Sequence, residues 1–153
     1  MNLCSKVLNA LKEKTLVTAE SCTGGGIGAA LTAVAGSSAV YKGGIICYTN
    51  WVKNQLLDVD LELLNDKGAV SAPVAEAMAV GARKRLQADV AVSVTGLAGP
   101  SGDAYGNPVG TVFIGYADAC TVKTFEFHFQ GGRDSVRSSA VFEALRIVLA
   151  ENS

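Results

Sequence analysis

The chain has a single histidine, His128, among 153 residues. Around it Phe125, Phe127 and Phe129 alternate with Thr124, Glu126 and His128, a strand pattern that sends the two sets to opposite faces. The phenylalanines are expected to pack inward and His128 to face solvent with the polar set. That pattern argues against a Ser-His-Asp triad, so a nucleophile here has to be activated by some other group. One histidine and four scattered cysteines, Cys4, Cys22, Cys47 and Cys120, none spaced C-x-x-C, also argue against a metal site. In a reducing compartment such cysteines read as small, mostly buried thiols. Proline is scarce, at three residues against seventeen glycines, which suits tight turns and close backbone approaches rather than a disordered linker. There is no excess of basic residues: the formal charge is −1, and a nucleic-acid partner would call for a basic patch. Nor is there an apolar run of roughly 18 residues, the length a membrane span needs. The first fourteen residues mix Lys6, Lys12, Glu13 and Lys14 with Leu3, Val7, Leu8 and Leu11, an amphipathic helix rather than a signal peptide. The expectation is a cytoplasmic protein without a membrane partner.

Hydrophobic residues make up 49% of the chain and charged residues 18%, enough apolar material for one buried core. No linker, internal repeat or low-complexity tract divides it, so residues 1–153 read as a single domain. Helices are expected over 2–13, 27–34, 50–57, 72–87 and 132–150, with a short turn near 61–66. Ser71 is a candidate N-cap, and Pro73 fits the first turn that follows. Strands are expected over 15–19, 39–49, 89–94, 109–117 and 121–130, the last two as a hairpin. Gly43 and Gly44 inside the second strand mark a bulge or a close approach. Alternating helices and strands followed by a hairpin predict a three-layer α/β/α sandwich with a mixed sheet.

The Gly-rich stretch Glu20-Ser21-Cys22-Thr23-Gly24-Gly25-Gly26 lies between a strand and a helix. Such a junction exposes side chains at the carboxyl end of the sheet and aims free backbone N–H groups at a bound anion or oxyanion. Ser21 is a candidate nucleophile there, with Thr23, Gly24 and Gly25 as backbone donors. Equally, Ser21 or Thr23 reads as a helix cap. The stretch lacks the Gly-Lys-Ser/Thr ending of a phosphate-binding P-loop. Cys22 is a rival nucleophile, expected to face away from Ser21 and to lack an activating histidine. Tyr48, Asn50 and Lys53 follow the second strand. A lysine buried beside a serine sheds its proton and acts as a base, with Tyr48 able to relay the proton. The other reading is a solvated Lys53 and a packed Tyr48. Thr95-Gly96-Leu97-Ala98-Gly99-Pro100 again follows an apolar strand, where α/β sheets bind ligands, or else it is a plain turn. Arg133 and Arg137 share a helix face four residues apart, as a phosphate clamp or as a solvated pair.

Taken together, these blocks resemble the CinA C-terminal domain family, the nicotinamide-nucleotide amidases. The matching stretches, in order, are Ala19–Gly25, Tyr48-Thr49-Asn50 with Lys53, Gly68-Ala69-Val70-Ser71, Thr95–Pro100, Pro108–Val112, and Gly132-Arg133-Asp134 with Val136-Arg137. Each block is weak alone; the ordered set is specific and covers nearly the whole chain. The resemblance implies hydrolysis of nicotinamide mononucleotide to nicotinic acid mononucleotide and ammonia, with no metal or other cofactor. It implies Ser21 as the nucleophile, Lys53 and Tyr48 as its activators, and Thr95 and Arg133 in the substrate pocket. Asn50, Gly96 and Arg137 are carried as further binding candidates. Two positions depart from the family pattern: Asp58 stands where glycine is usual, and Gly132 where aspartate is frequent. The family also occurs fused behind a larger N-terminal domain, which this chain lacks, so activity tied to that domain is expected to be absent. The apolar fraction is compatible with a homodimer. A second reading, from another class, is a non-catalytic nucleotide-binding module that regulates a partner.

Overall fold

A computed structural model describes residues 1–153. Helix α1 (Leu3–Ala10) leads into strand β1 (Leu16–Glu20), then α2 (Gly26–Thr32), a short 3-10 turn (Ser37–Ala39) and β2 (Tyr41–Ile46). Three helices follow, α3 (Asn50–Leu57), α4 (Leu61–Lys67) and α5 (Ala72–Arg85). The chain ends with β3 (Val90–Gly96), the hairpin β4 (Thr111–Ala117) and β5 (Val122–His128), and α6 (Arg133–Glu151). The sheet order is β2-β1-β3-β4-β5, with β1 parallel to both β2 and β3, and β4 and β5 antiparallel. Helices α1, α2 and α6 cover one face through a core that includes Val7, Leu11, Ile27, Leu31, Ile114 and Val148. Helices α3, α4 and α5 cover the other through Val17, Ala19, Leu57, Leu64, Val74 and Met78. The three-layer α/β/α sandwich with a mixed sheet is what the element pattern predicts. No helix is long and apolar enough to cross a membrane.

Local chemistry explains most boundaries. Asn2 caps α1 through the Ser5 amide, and Thr49 caps α3 through the Val52 amide. Ser71 occupies the position before α5 but does not cap it; its hydroxyl donates backwards to the Gly68 carbonyl at 2.9 Å. The expected strand over 39–49 shortens to Tyr41–Ile46 because residues 37–39 turn and residues beyond 46 lead into α3. Both expectations for its glycines hold. The β1–β2 register slips at Lys42, and a Cβ on Gly44 would lie 2.2 Å from Thr18 Oγ1. The turn expected near 61–66 is a full helix, α4, capped by Asp60. At Asp58 the chain leaves α3 with φ 56°, the left-handed conformation that glycine adopts without penalty.

The topology decides where a ligand fits. From β1 the chain crosses through α2 to β2 on one side, and returns through α3, α4 and α5 to β3 on the other. The carboxyl end of β1 leads into the α2 layer, while that of the neighbouring β3 leads into the 97–110 loop to β4, and a crevice opens between these strand ends.

Candidate active site

Strand β1 alternates its side chains between the two helical layers. Val17 and Ala19 point to the α3–α5 core, while Thr18 and Glu20 meet Tyr41 and α2. Ser21, next in the alternation, therefore emerges on the α3 side.

There it meets Lys53. Helix α3 starts at Asn50, so Lys53 lies one turn in with its side chain directed at the end of β1; it is 1% exposed. Its Nζ donates to the Cys47 carbonyl at 2.8 Å, lies 2.9 Å from Ser21 Oγ and 3.4 Å from the Tyr48 carbonyl. No carboxylate pairs with it. Burial lowers its pKa from the usual lysine value, because the interior penalises the ammonium form. A neutral amine has two N–H groups and one lone pair. The ammonium form donates to Ser21 Oγ as well as to the two carbonyls; in the neutral form the carbonyls accept the N–H groups and the lone pair is left for the serine hydroxyl proton. That is the geometry of a serine activated by a lysine base.

Ser21 and Lys53 open on a cavity of about 390 Å³, within the ~300–1,000 Å³ usual for small-ligand sites. Tyr48, Thr95, Gly96 and Arg133 also line it, so six of the predicted site residues meet at one crevice. Ala69, Val70, Leu97 and Ala98 give it an apolar wall. Thr95 is buried and its hydroxyl donates to the Ala69 carbonyl at 2.8 Å, while Asn107 Nδ2 donates to the Val70 carbonyl at 3.1 Å. The Tyr105 ring lies over Gly68, and its hydroxyl donates to the Asn65 carbonyl. The loop after β3 thus holds the Gly68–Ser71 segment in place as that wall.

Several expectations need correction. The Tyr48 phenol does not reach Ser21 or Lys53; it accepts from Arg133 Nη2 at 3.2 Å, and only the Tyr48 main-chain carbonyl approaches the dyad. Arg133 also donates to the Gly99 carbonyl, so its guanidinium spans from the 95–100 loop to Tyr48 at the rim. Thr23, Gly24, Gly25, Asn50 and Arg137 do not line the cavity. Thr23 Oγ1 donates to Glu20 Oε1 at 2.8 Å, and the Gly24 amide donates to the Ser21 carbonyl. Asn50 is the first residue of α3, with Thr49 as its cap. Arg137 donates to the carbonyls of Cys22 and Thr23 instead of facing a ligand. Cys22 is among the cavity-lining residues, but its side chain packs in the core beneath α2 and α6, away from Ser21 as expected, and burial pushes its thiol up to about 11 and leaves it a poor nucleophile. His128 lies as expected on the polar face of β5, with Nε2 2.7 Å from Glu126 Oε2 and far along the sheet from Ser21. No three His, Cys, Asp or Glu side chains are grouped as metal ligands.

The free helix N-terminus expected at the Gly-rich turn is absent. Glu20, 2% exposed, accepts from Thr23 Oγ1 and the Ile27 amide on Oε1, and from the Gly28 amide and Thr18 Oγ1 on Oε2. Its carboxylate occupies the position an external anion would have taken. An acidic residue ending a strand just before a Gly-rich turn is the signal that points to such an internal cap.

The comparisons with known proteins agree with this fold. Residues 2–151 match the model of the CinA C-terminal domain. A "CinA-like protein" of Parasynechococcus marenigrum is 51% identical over 148 residues, covering 94% of this chain and 35% of that protein. One of Citrifermentans bemidjiense is 52% identical over 131 residues, covering 86% and 32%. The chain thus spans about a third of the length of these curated relatives. Among solved structures, a competence/damage-inducible protein of Agrobacterium tumefaciens superposes with TM-score 0.95 at 40% identity, covering 99% of this chain and 94% of that one. A competence-damaged protein (CinA) superfamily protein of Escherichia coli superposes with TM-score 0.95 at 37% identity, covering 97% and 87%. With its motifs in order, its fold matched end to end and its sequence half identical to such relatives, this chain belongs to the CinA C-terminal domain family.

Proposed function

We propose that this chain is an amidase that hydrolyses the carboxamide of nicotinamide mononucleotide, releasing nicotinic acid mononucleotide and ammonia. The observation that carries the reading is the 2.9 Å contact between Lys53 Nζ and Ser21 Oγ, buried and without a carboxylate to hold the lysine charged. The substrate is the one the family resemblance implies, and three features of the cavity suit it. The apolar wall of Ala69, Val70, Leu97 and Ala98 fits a flat aromatic ring. The Arg133 guanidinium at the rim suits a phosphate, which would take over the donors now on Tyr48 and Gly99. The dyad lies at the inner end, where the amide carbon would sit.

In this mechanism Ser21 Oγ attacks the amide carbon and its proton passes directly to neutral Lys53. The oxyanion is held by the amide of Cys22, a residue that lines the cavity and for whose amide the chain itself supplies no acceptor. Protonated Lys53 returns its proton to the departing nitrogen, which leaves as ammonia. Water, deprotonated by the same lysine, then cleaves the acyl-serine to the carboxylate and restores the enzyme. Remote binding through the phosphate orients the amide, so nicotinamide alone is a poor substrate.

The test is ammonia release from nicotinamide mononucleotide by purified protein with EDTA present, beside Ser21→Ala. Release by the native chain, reduced at least about 10³-fold in the variant, is the expected result. Release that persists in Ser21→Ala removes the nucleophile assignment. Nucleotide binding without release from either protein turns the reading to a regulatory binding module.

A further inference from the structure

Arg137 was expected at a ligand phosphate, and the fold gives it other work. Its Nε donates to the Cys22 carbonyl at 3.0 Å and its Nη2 to the Thr23 carbonyl at 3.3 Å, both in the turn that carries Ser21. The guanidinium comes from α6 and lies over Gly24, where a Cβ would sit 3.5 Å from Nη2. It borders a separate small cleft with Thr23, Gly26, Asp134 and Ser138, on the side of the turn away from Lys53.

A trans peptide is planar, with its C=O and the following N–H on opposite edges. Fixing the carbonyls of Cys22 and Thr23 toward α6 therefore aims the amides of Thr23 and Gly24 the other way. The Gly24 amide confirms this direction, since it donates to the Ser21 carbonyl at 3.1 Å. That bond fixes the Ser21 carbonyl and, on the opposite edge of the same peptide, the amide of Cys22, a residue that lines the cavity and whose amide has no acceptor in the chain. A cation on the carbonyl oxygen also polarises the peptide and makes its N–H a stronger donor. From below, Glu20 anchors the same turn through Thr23 Oγ1.

The geometry points to Arg137 as a positioning residue that, through the Thr23–Gly24 peptide and the Ser21 carbonyl, orients and polarises the Ser21–Cys22 peptide so that the Cys22 N–H stabilises the oxyanion formed at Ser21. This rests on the serine-amidase reading, and it replaces the phosphate-clamp role for Arg137 with one exerted through the backbone. The charge is outside the cavity, so it acts on turnover and not on substrate capture.

The experiment compares the native chain with Arg137→Met and Arg137→Lys in two assays. One is amide hydrolysis, resolved into kcat and KM across pH. The other is phosphonylation of Ser21 by a fluorophosphonate, in which the serine oxygen bonds to phosphorus, fluoride leaves, Lys53 takes the proton and a phosphoryl oxygen occupies the oxyanion position. Arg137→Met is expected to lower both kcat and the phosphonylation rate by about 10- to 100-fold, the scale of one weakened oxyanion donor. KM stays within about twofold, the pH midpoint set by Lys53 does not move, and Arg137→Lys recovers part of the rate. A KM raised about tenfold at constant kcat makes Arg137 a substrate ligand and overturns the proposal, as do native rates in the variant. Should Arg137→Met fail to fold, Arg137→Lys decides alone, because loss of the forked contact still lowers kcat. Phosphonylation of a native chain that releases no ammonia defeats the substrate assignment while the labelling rates still test Arg137. No phosphonylation of the native chain sinks both.

Discussion

Two buried ionisable side chains flank Ser21, and they are treated oppositely. Glu20 and Lys53 are 2% and 1% exposed. Around Glu20 four donors converge, two hydroxyls and two backbone amides, so that both carboxylate oxygens are satisfied. Around Lys53 there are two main-chain carbonyls and the serine hydroxyl, but no anion, and burial depresses its pKa. The α2 side of the β1 terminus uses a carboxylate to hold a turn; the α3 side leaves an amine beside the serine without a counter-charge, the setting the proposed base requires. The pairing teaches that burial alone does not make a group reactive. What matters is whether its neighbours compensate the charge or leave proton loss as the cheaper route.

Breaking the reactive side has the largest expected effect. Lys53→Met keeps the stem length and removes the base, and it is expected to lower kcat by about 10²–10⁴-fold. In the native chain, activity is expected to rise with pH as Lys53 loses its proton. Stability carries the same signature. The folded pKa lies below the unfolded value of 10.5, so between the two the unfolded chain binds more protons and folding gains stability as pH rises. Urea unfolding across that window should show the gain in the native chain and its loss in Lys53→Met; parallel curves would mean that Lys53 is not the lowered group.

Breaking the structural side comes next. Glu20→Ala leaves Thr18, Thr23, Ile27 and Gly28 without their acceptor, at about 1–3 kcal/mol for each unpaired buried donor. Relaxation and entering water reduce that sum, and a loss of about 3–5 kcal/mol is expected in denaturant midpoints. A change under about 1 kcal/mol would show that water replaces the carboxylate and that the turn does not depend on it.

The smallest effect sharpens the comparison by touching neither charge. Asp58→Gly relieves the left-handed residue that ends α3, the helix carrying Lys53. A stability gain of about 0.5–1 kcal/mol in thermal unfolding, with unchanged kcat, is expected. Altered kcat would instead couple the end of α3 to the position of Lys53.

The layered architecture was legible because it rests on local periodicity. The 3.6-residue pattern of 132–150 and the Phe125-Phe127-Phe129 alternation each say which face is buried. Strand ends were less legible, since residues 39, 40 and 47–49 satisfy strand propensity but lie where the chain turns. At the site, Ser21, Lys53, Thr95, Gly96 and Arg133 were nameable from motif order, and the crevice brings them together. Tyr48 was nameable too, although its hydroxyl turns to Arg133 and not to the serine. The partners of Arg137 were not legible: Cys22 and Thr23 lie more than a hundred residues away, and their carbonyls carry no side-chain signature.

The sequence by itself determined the helices, most of the strands, the mixed α/β class and the polar residues at the strand ends, because propensity, capping and period act over a few neighbours. Only the tertiary structure decided which of those residues meet. The alternation of β1 sends Glu20 to α2 and Ser21 to Lys53, the packing of α6 puts Arg137 on the nucleophile turn, and burial between layers lowers the lysine pKa. Each of these depends on what surrounds a group in three dimensions, since the energy of a charge is set by its solvation and partners and not by its place along the chain.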